Sequence, residues 1–367
     1  MVASLESGTT ARYYTSLADY YLDGDNARGV WAKVGIPADF KPGDLVDPAE
    51  FERLHVAVDR NGKFLFSNDG GKIERVGGYD MTFSAPKSVS VRWMLSDLKL
   101  RAAIELAQEQ AVAHALDVLE QNAAFCRFGK GGAIHAPVRL TVATFAQSDT
   151  RPARHVDGDV FPDPQLHTHA VILNLAHEQR HRALDGKPLF YWKMAAGAAY
   201  HHAFANGLQA LGFQIENNGT NEKFETVGVD PGLRRYFSAR REAIEDKLEE
   251  LGLTSAEAPA LAAAIAKSTR RAKLSSDTDW FAFWRDKARA LGFEPEAPLD
   301  AQGGPTPERT LVSEAARQDA LIATRLAAVP RSLTETESAF PRRALRRLVV
   351  AQHCRSVLHR LCKMNMV

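Results

Sequence analysis

Residues 163–174 read DPQLHTHAVILN. The apolar, largely β-branched run after the second histidine, with prolines just upstream, predicts a β-strand. Side chains alternate between the two faces of a strand, so His167 and His169 share one face. Two neighbouring imidazoles can bind a metal ion that takes neutral nitrogen ligands, although two structural histidines on a half-buried strand would give the same pattern.

The composition is that of an ordinary soluble globular protein: 45% of the 367 residues are hydrophobic and 25% are charged. With a net charge of +1, any nucleic-acid contact must come from a local basic surface. The three cysteines are odd in number and widely scattered, which argues against a disulfide framework. No leader-like segment and no apolar run of spanning length occurs, so we expect a cytoplasmic bacterial protein.

Two tyrosine pairs, Tyr13 with Tyr14 and Tyr20 with Tyr21, occur near the start of the chain. Seven residues make about two helical turns, so a helix over residues 11–22 would place Tyr13 and Tyr20 on one stripe and Tyr14 and Tyr21 on a neighbouring stripe. An amphipathic helix that packs aromatic rings explains this pattern. A phenol also offers an oxygen nucleophile, which phenylalanine cannot.

Alternation over residues 77–84 predicts a second strand, with Asp80 on the face opposite Tyr79, Met81 and Phe83. Periodicity and turn residues predict further elements: a helix at 97–124, a strand at 137–147, a loop with His155 at 152–162, a helix at 190–211, a hairpin around Asn218, and helices between 231 and 291. The pattern is that of an α+β protein with a mostly helical C-terminal part.

The segments GYDMTFSAPKSVS (78–90) and DPQLHTHAVILN, in order after the tyrosine pairs, resemble the TrwC/TraI-type conjugative relaxases, the MobF class. The similarity extends to about residue 292. It implies an HUH-type relaxase fold, in which a central antiparallel β-sheet carries the metal-binding histidines and is flanked by helices.

The resemblance implies a DNA relaxase, a single-strand endonuclease and transesterase that nicks and rejoins DNA at a transfer origin. The reaction would use one divalent metal ion (Mg²⁺, Mn²⁺ or Zn²⁺) and a covalent 5′-phosphotyrosine. Tyr13 would be the first nucleophile with Tyr14 beside it, and Tyr20 or Tyr21 would serve the second transfer. Asp80 matches the acidic residue that orients a ligand histidine.

His167 and His169 match two of the three metal ligands of the family. At the third position, in the family pattern F-x-H-x-x-S-R, this sequence has Gln147. Either His155 folds back to complete the site, or Gln147 supplies an oxygen ligand. We favour His155, because imidazole is the better ligand for most of the candidate metals.

Basic residues near these motifs are candidates for phosphate contacts: Lys87, Arg151, Arg154, Arg270, Arg271 and Lys273. Trp31 or Trp192 could stack on DNA bases. Alternatively, the basic residues are solvated surface charges and the tryptophans belong to the core.

We divide the chain into a relaxase domain at 1–293, a linker at 294–307 and a helical extension at 308–367. SLTETESAF (332–340) resembles the entry to the family's helicase region, which would make the extension its truncated start. The sequence contains no phosphate-binding G-x-x-x-x-G-K-[ST] motif, so we expect no helicase activity.

The partners that the resemblance implies are single-stranded or cruciform DNA at a transfer origin, accessory origin-binding proteins and a coupling protein. We expect a monomer without a membrane contact. Two other functions fit the same residues: a catalytically impaired remnant that binds origin DNA, and a metal-dependent phosphodiester hydrolase that forms no covalent intermediate.

Overall fold

A computed structural model describes residues 3–7, 29–65, 76–217, 224–254, 257–269 and 278–293. The four tyrosines of the two pairs lie outside the described residues. So do Arg270, Arg271 and Lys273, the turn around Asn218, the linker and the C-terminal extension.

The strands are β1 (Ala3–Ser7), β2 (Val30–Lys33), β3 (Gly78–Ser84), β4 (Phe125–Phe128), β5 (Ile134–Pro137), β6 (Val142–Asp149), β7 (Ala153–Arg154), β8 (Val160–Phe161), β9 (Pro164–Leu173), β10 (Ala176–Glu178), β11 (Arg180–Arg182), β12 (Ile215–Asn217) and β13 (Phe224–Thr226). The helices are α1 (Pro48–His55), α2 (Lys87–Leu95), α3 (Leu98–Ala123), α4 (Gly186–Ala210), α5 (Pro231–Tyr236), α6 (Ala239–Glu249), α7 (Pro259–Ser268) and α8 (Trp280–Ala290).

A five-stranded antiparallel sheet in the order β1-β3-β9-β6-β2 forms the centre of the described part. The histidine strand β9 is its middle strand and pairs with β3 on one side and β6 on the other. Hydrogen bonds to β3 and to β6 each fix the register of this central strand. The remaining strands pair as hairpins: β4–β5, β7–β8, β10–β11 and β12–β13.

The main core lies on the sheet face that the long helices α3 and α4 cover. Met81, Phe83 and Ile172 point into it and are fully buried, as the alternation of β3 and β9 requires. Both helices begin at an aspartate cap, Asp97 for α3 and Asp185 for α4. None of the helices in the described ranges is long and apolar enough to span a bilayer.

A smaller core lies on the opposite face, where α1 packs over Phe145, Val171 and Leu173. Trp31 belongs to it, is 1% exposed, and stacks on Phe40 with ring centroids 4.3 Å apart. Trp31 therefore does not stack on DNA bases, contrary to one of our expectations. Trp192 is half-buried against the main core.

The segment 152–162 was predicted as a loop but folds into the small hairpin β7–β8. Trp284 of α8 donates a 2.8 Å hydrogen bond from Nε1 to the carbonyl oxygen of Pro162. Asp163 accepts hydrogen bonds from the backbone N–H groups of Ala239 and Arg240 at the start of α6. The C-terminal helices are thereby attached directly to the entry of β9.

Candidate functional site

His167 and His169 lie side by side on β9, with ring centroids 5.2 Å apart. The Nδ1 atom of His167 is 2.9 Å from the carbonyl oxygen of Gln165, and that of His169 is 2.8 Å from Oδ2 of Asp80. Because both partners accept, the hydrogen-bond network assigns the proton to Nδ1, so Nε2 is the nitrogen of each ring that could bind a metal ion.

Asp80 stands behind His169 on the neighbouring strand β3. Its side chain is 8% exposed, and Thr82 contributes a second oxygen 3.2 Å from the same Nδ1 atom of His169. A carboxylate in this position fixes the tautomer and orientation of the imidazole. The hydrogen bond that the resemblance implied is therefore present, while its role in a reaction stays a prediction.

Gln147 is the residue on β6 directly opposite His167, and Ser84 of β3 faces His167 from the other side. Directly opposed residues of antiparallel strands share a face and have Cβ atoms about 5 Å apart. Gln147 is 4% exposed, so its amide is enclosed beside the histidine pair. An amide oxygen is a harder donor than imidazole and suits Mg²⁺ or Mn²⁺.

His155 does not join the pair, which corrects our preferred assignment. Its Nδ1 is 3.0 Å from the carbonyl oxygen of Tyr236 and its Nε2 is 3.3 Å from that of Phe161. The buried ring also stacks on Phe161, with centroids 3.6 Å apart. Among the described residues, no three His, Cys, Asp or Glu side chains are grouped to hold a metal ion. The β7–β8 hairpin is folded as a unit that turns His155 toward α5.

Lys87 is also placed differently from our expectation of a phosphate contact. It is half-buried, and its ammonium donates a 2.9 Å hydrogen bond to the carbonyl oxygen of Pro164 at the start of β9. Burial lowers the pKa of Lys87 and raises that of Asp163, and the attraction between the two charges opposes both shifts. Lys87 therefore stabilises the entry to the histidine strand.

Two other basic candidates lie closer to solvent. Arg154, on β7, is exposed, and Arg151, just after β6, is half-buried. Both follow the strand that carries Gln147, so they lie on the chain segment between Gln147 and the histidines. Their contact with DNA stays a prediction.

Sequence reasoning missed a polar cluster at the tip of the β7–β8 hairpin. Asp157 accepts a 2.7 Å hydrogen bond from the hydroxyl of Tyr236 and a 3.1 Å hydrogen bond from the ammonium of Lys287, which also contacts Asp159. The partners are 79 and 130 residues away along the chain. No local pattern could have predicted contacts over such separations.

Comparisons with known proteins show the family to which the chain is similar. Residues 7–291 match the family model described as TrwC relaxase. Over 327 residues the chain is 30% identical to the multifunctional conjugation protein TraI of Escherichia coli (strain K12), an alignment that covers 85% of this chain. The chain spans 17% of the length of that relative.

Solved structures of conjugative relaxase TrwC in complex with OriT DNA are also similar. A metal-free structure has a TM-score of 0.66 and 27% identity, covering 79% of this chain and 99% of that one. A metal-bound structure has a TM-score of 0.65 and 27% identity, covering 80% of this chain and 99% of that one. A copper-bound structure has a TM-score of 0.66 and 26% identity, with 80% and 99% covered.

Proposed function

The chain belongs to the TrwC relaxase family, and we propose that it nicks and rejoins one strand of DNA at a transfer origin. Its antiparallel sheet with flanking helices is the HUH-type relaxase fold that the sequence predicted. The observation that carries the proposal is the His167–His169 pair with Asp80 hydrogen-bonded behind it. The TrwC structures in complex with OriT DNA support the choice of substrate.

The metal centre that we propose consists of His167, His169 and Gln147. The donor set fits a divalent cation, because two imidazoles present Nε2 and an enclosed amide lies beside them. Of Mg²⁺, Mn²⁺ and Zn²⁺, the amide oxygen favours the harder first two. When bound, the cation would offset negative charge that develops on the non-bridging oxygens of the scissile phosphate.

The nucleophile in this proposal is the hydroxyl of Tyr13, with Tyr14 as its neighbour. Its phenol, with an ordinary pKa of about 10, must lose a proton before attack. The phenolate oxygen forms a bond to phosphorus while the bond to the 3′-oxygen breaks, and that oxygen keeps the electron pair and takes up a proton. The products are a 5′-phosphotyrosine and a free 3′-hydroxyl.

Rejoining reverses these steps. The phosphotyrosine remains a phosphodiester, so a 3′-hydroxyl can attack it and release the phenol without ATP. Tyr20 or Tyr21 would serve the second transfer event. Asp80 keeps His169 oriented throughout, because the buried carboxylate holds the Nδ1 proton in place.

DNA contacts are proposed for the exposed Arg154 and for Arg151, and also for Arg270, Arg271 and Lys273. Accessory origin-binding proteins and a coupling protein are the further partners in this proposal, with a monomeric relaxase in the bacterial cytoplasm. The family match from 7 to 291 supports a relaxase domain at 1–293. A linker at 294–307 and an extension at 308–367 complete the proposed division of the chain.

The test is an adduct assay. The purified chain is incubated with Mn²⁺ and single-stranded oligonucleotides that cover its candidate transfer origin, and the products are separated on a denaturing gel. We expect a covalent protein–DNA adduct that is lost in Tyr13→Phe and in chelator. If wild type and Tyr13→Phe bind the DNA equally and neither forms an adduct, the chain is a catalytically impaired protein that only binds origin DNA. Free 5′-phosphate products without adduct would instead indicate a hydrolase.

A further inference from the structure

Two small hairpins lie together at the end of the sheet away from the histidine pair. Hairpin β10–β11 begins shortly after Leu173, which is about 13 Å beyond His169 at about 3.3 Å per residue. Hairpin β4–β5 is attached to the segment after it, because the backbone N–H of Asp185 donates a 2.7 Å hydrogen bond to the carbonyl oxygen of Phe125. The guanidinium of Arg182 also lies over the ring of Phe128, 4.7 Å from its centroid. We call this region the paired-hairpin surface.

The paired-hairpin surface exposes positive charge and covers its negative charge. Residues 125–139 contain three cationic residues and no Asp or Glu. Residues 176–187 add three more cationic residues against Glu178 and Asp185, whose side chains are only 23% and 9% exposed. In contrast, Arg127 is 44% exposed, and Lys130 and Arg180 are both exposed at the hairpin tips. In a chain of net charge +1, this is a local basic surface.

The tip of β4–β5 is a glycine-rich turn that presents Lys130 to solvent. Lys130 stands among Gly129, Gly131 and Gly132, whose φ angles are 79°, 66° and 70°. Ala133 follows in the right-handed region, at φ −69° and ψ −21°. The backbone N–H of Gly132 donates a 3.1 Å hydrogen bond to the carbonyl oxygen of Gly129, which closes a tight turn with Lys130 at its tip.

We propose that the paired-hairpin surface binds the phosphate backbone of DNA outside the cleavage site. The proposal rests on the proposed relaxase function, which supplies the DNA. An acidic protein partner is the less suitable occupant, because protein interfaces centre on apolar residues and Ile134 is the one large exposed apolar side chain in residues 125–139 and 176–187. The contact would add affinity without reading sequence.

The test compares two labelled single-stranded oligonucleotides, a short one that covers the cleavage site and a longer one extended on both sides. Fluorescence anisotropy gives their affinities at several salt concentrations, and gel analysis gives adduct formation. The variant is Lys130→Glu with Arg180→Glu. The control is Lys99→Glu with Lys247→Glu, which makes the same charge change at exposed positions on α3 and α6. Lys99 is at the far end of α3, about 35 Å from β4 at about 1.5 Å per residue.

We expect the hairpin variant to lose about tenfold in affinity for the long oligonucleotide, and its salt slope to fall by about 1.4 for two phosphate contacts. Binding of the short oligonucleotide and adduct formation on it should match wild type. An unchanged affinity for the long oligonucleotide would overturn the proposal, as would an equal loss on both oligonucleotides or in the control. Failure of the relaxase function would appear separately, as absence of adduct with every variant.

Discussion

Gln147 on β6 lies directly opposite His167 on β9, and both side chains belong to the same face of the sheet. We therefore expect Gln147→His to raise the affinity for Zn²⁺ and Co²⁺, because a third imidazole replaces an amide oxygen. Gln147→Ala should lower the affinity for Mn²⁺ below that of wild type. Isothermal titration calorimetry measures both without needing activity. If all three proteins bind each metal equally, Gln147 is not a ligand.

Asp80→Asn should weaken metal binding while it preserves the fold. The amide has nearly the shape of the carboxylate but carries no charge to support the imidazole of His169, and such changes cost about 10–100-fold in metal affinity. Titration with Co²⁺, followed by its visible spectrum, reports both affinity and ligand geometry. A thermal unfolding midpoint close to that of wild type is the control. Unchanged affinity would show that the hydrogen bond does not tune the site.

His155→Ala should act on stability rather than on the metal. It removes a buried ring that stacks on Phe161 and whose nitrogens lie within 3.0 and 3.3 Å of the carbonyl oxygens of Tyr236 and Phe161. We expect the free energy of unfolding to fall by about 2–3 kcal/mol. Urea unfolding measures the loss, and calorimetry should give wild-type affinity for Mn²⁺. Loss of metal binding in a folded His155→Ala protein would restore His155 as a ligand.

The polar cluster at the tip of the β7–β8 hairpin should make the free energy of unfolding depend on pH in the acid range. Burial raises the pKa of Asp157, but hydrogen bonds from Tyr236 and Lys287 outweigh it and lower the pKa from 3.8 to about 2. A lowered pKa stabilises the fold above the unfolded value, and this contribution is lost as the pH falls from about 4 to about 2. Asp157→Asn should therefore be less stable than wild type at pH 7, with a difference that disappears near pH 2.

Urea midpoints measured across this pH range test the prediction. Asp286→Asn is a matched control on α8, because its pair with Arg289 is within one helix and its side chain is 72% exposed. An exposed pair contributes little, so the control should be nearly indifferent to pH. A constant difference between Asp157→Asn and wild type from pH 7 to pH 2 would contradict the assignment.

Lys87→Met should lower stability, whereas Arg154→Met should change only the salt dependence of DNA binding. Lys87 donates a charged hydrogen bond to Pro164, so its loss should lower the free energy of unfolding by about 1.5–3 kcal/mol. The salt dependence of DNA binding should not change. Because Arg154 is exposed, Arg154→Met should leave stability unchanged and lower the salt slope of DNA binding by about 0.7. A reduced slope with Lys87→Met would return that residue to the DNA interface.

The sequence predicted the elements that carry the site better than the contacts between them. Alternation and β-branched residues located β3 and β9, and apolar periodicity located α3 and α4 to within a few residues. These signals are local, because a side chain's burial depends on the face to which its own strand or helix directs it. The order of three motifs then predicted the HUH-type fold, which the structural comparisons confirm.

The third side chain beside the histidine pair could be identified only once the register of the strands was known. Whether Gln147 or His155 faces His167 depends on hydrogen bonds between separate strands and on how the intervening segment folds. Neither is encoded in a local pattern. The same limit explains Trp31, whose burial depends on Phe40 and Phe51 as much as on its own strand.

Strand β9 presents its histidines on one face and main-core residues such as Ile172 on the other. This division lets metal preference change while foldability is kept. In the proposed metal centre, exchange of the side chain at position 147 would move the preference between harder and softer cations, since the helices α3 and α4 pack against the other side of the sheet. Relaxases adapted to different metal supplies could thus arise on one scaffold by substitutions confined to alternate positions of two strands.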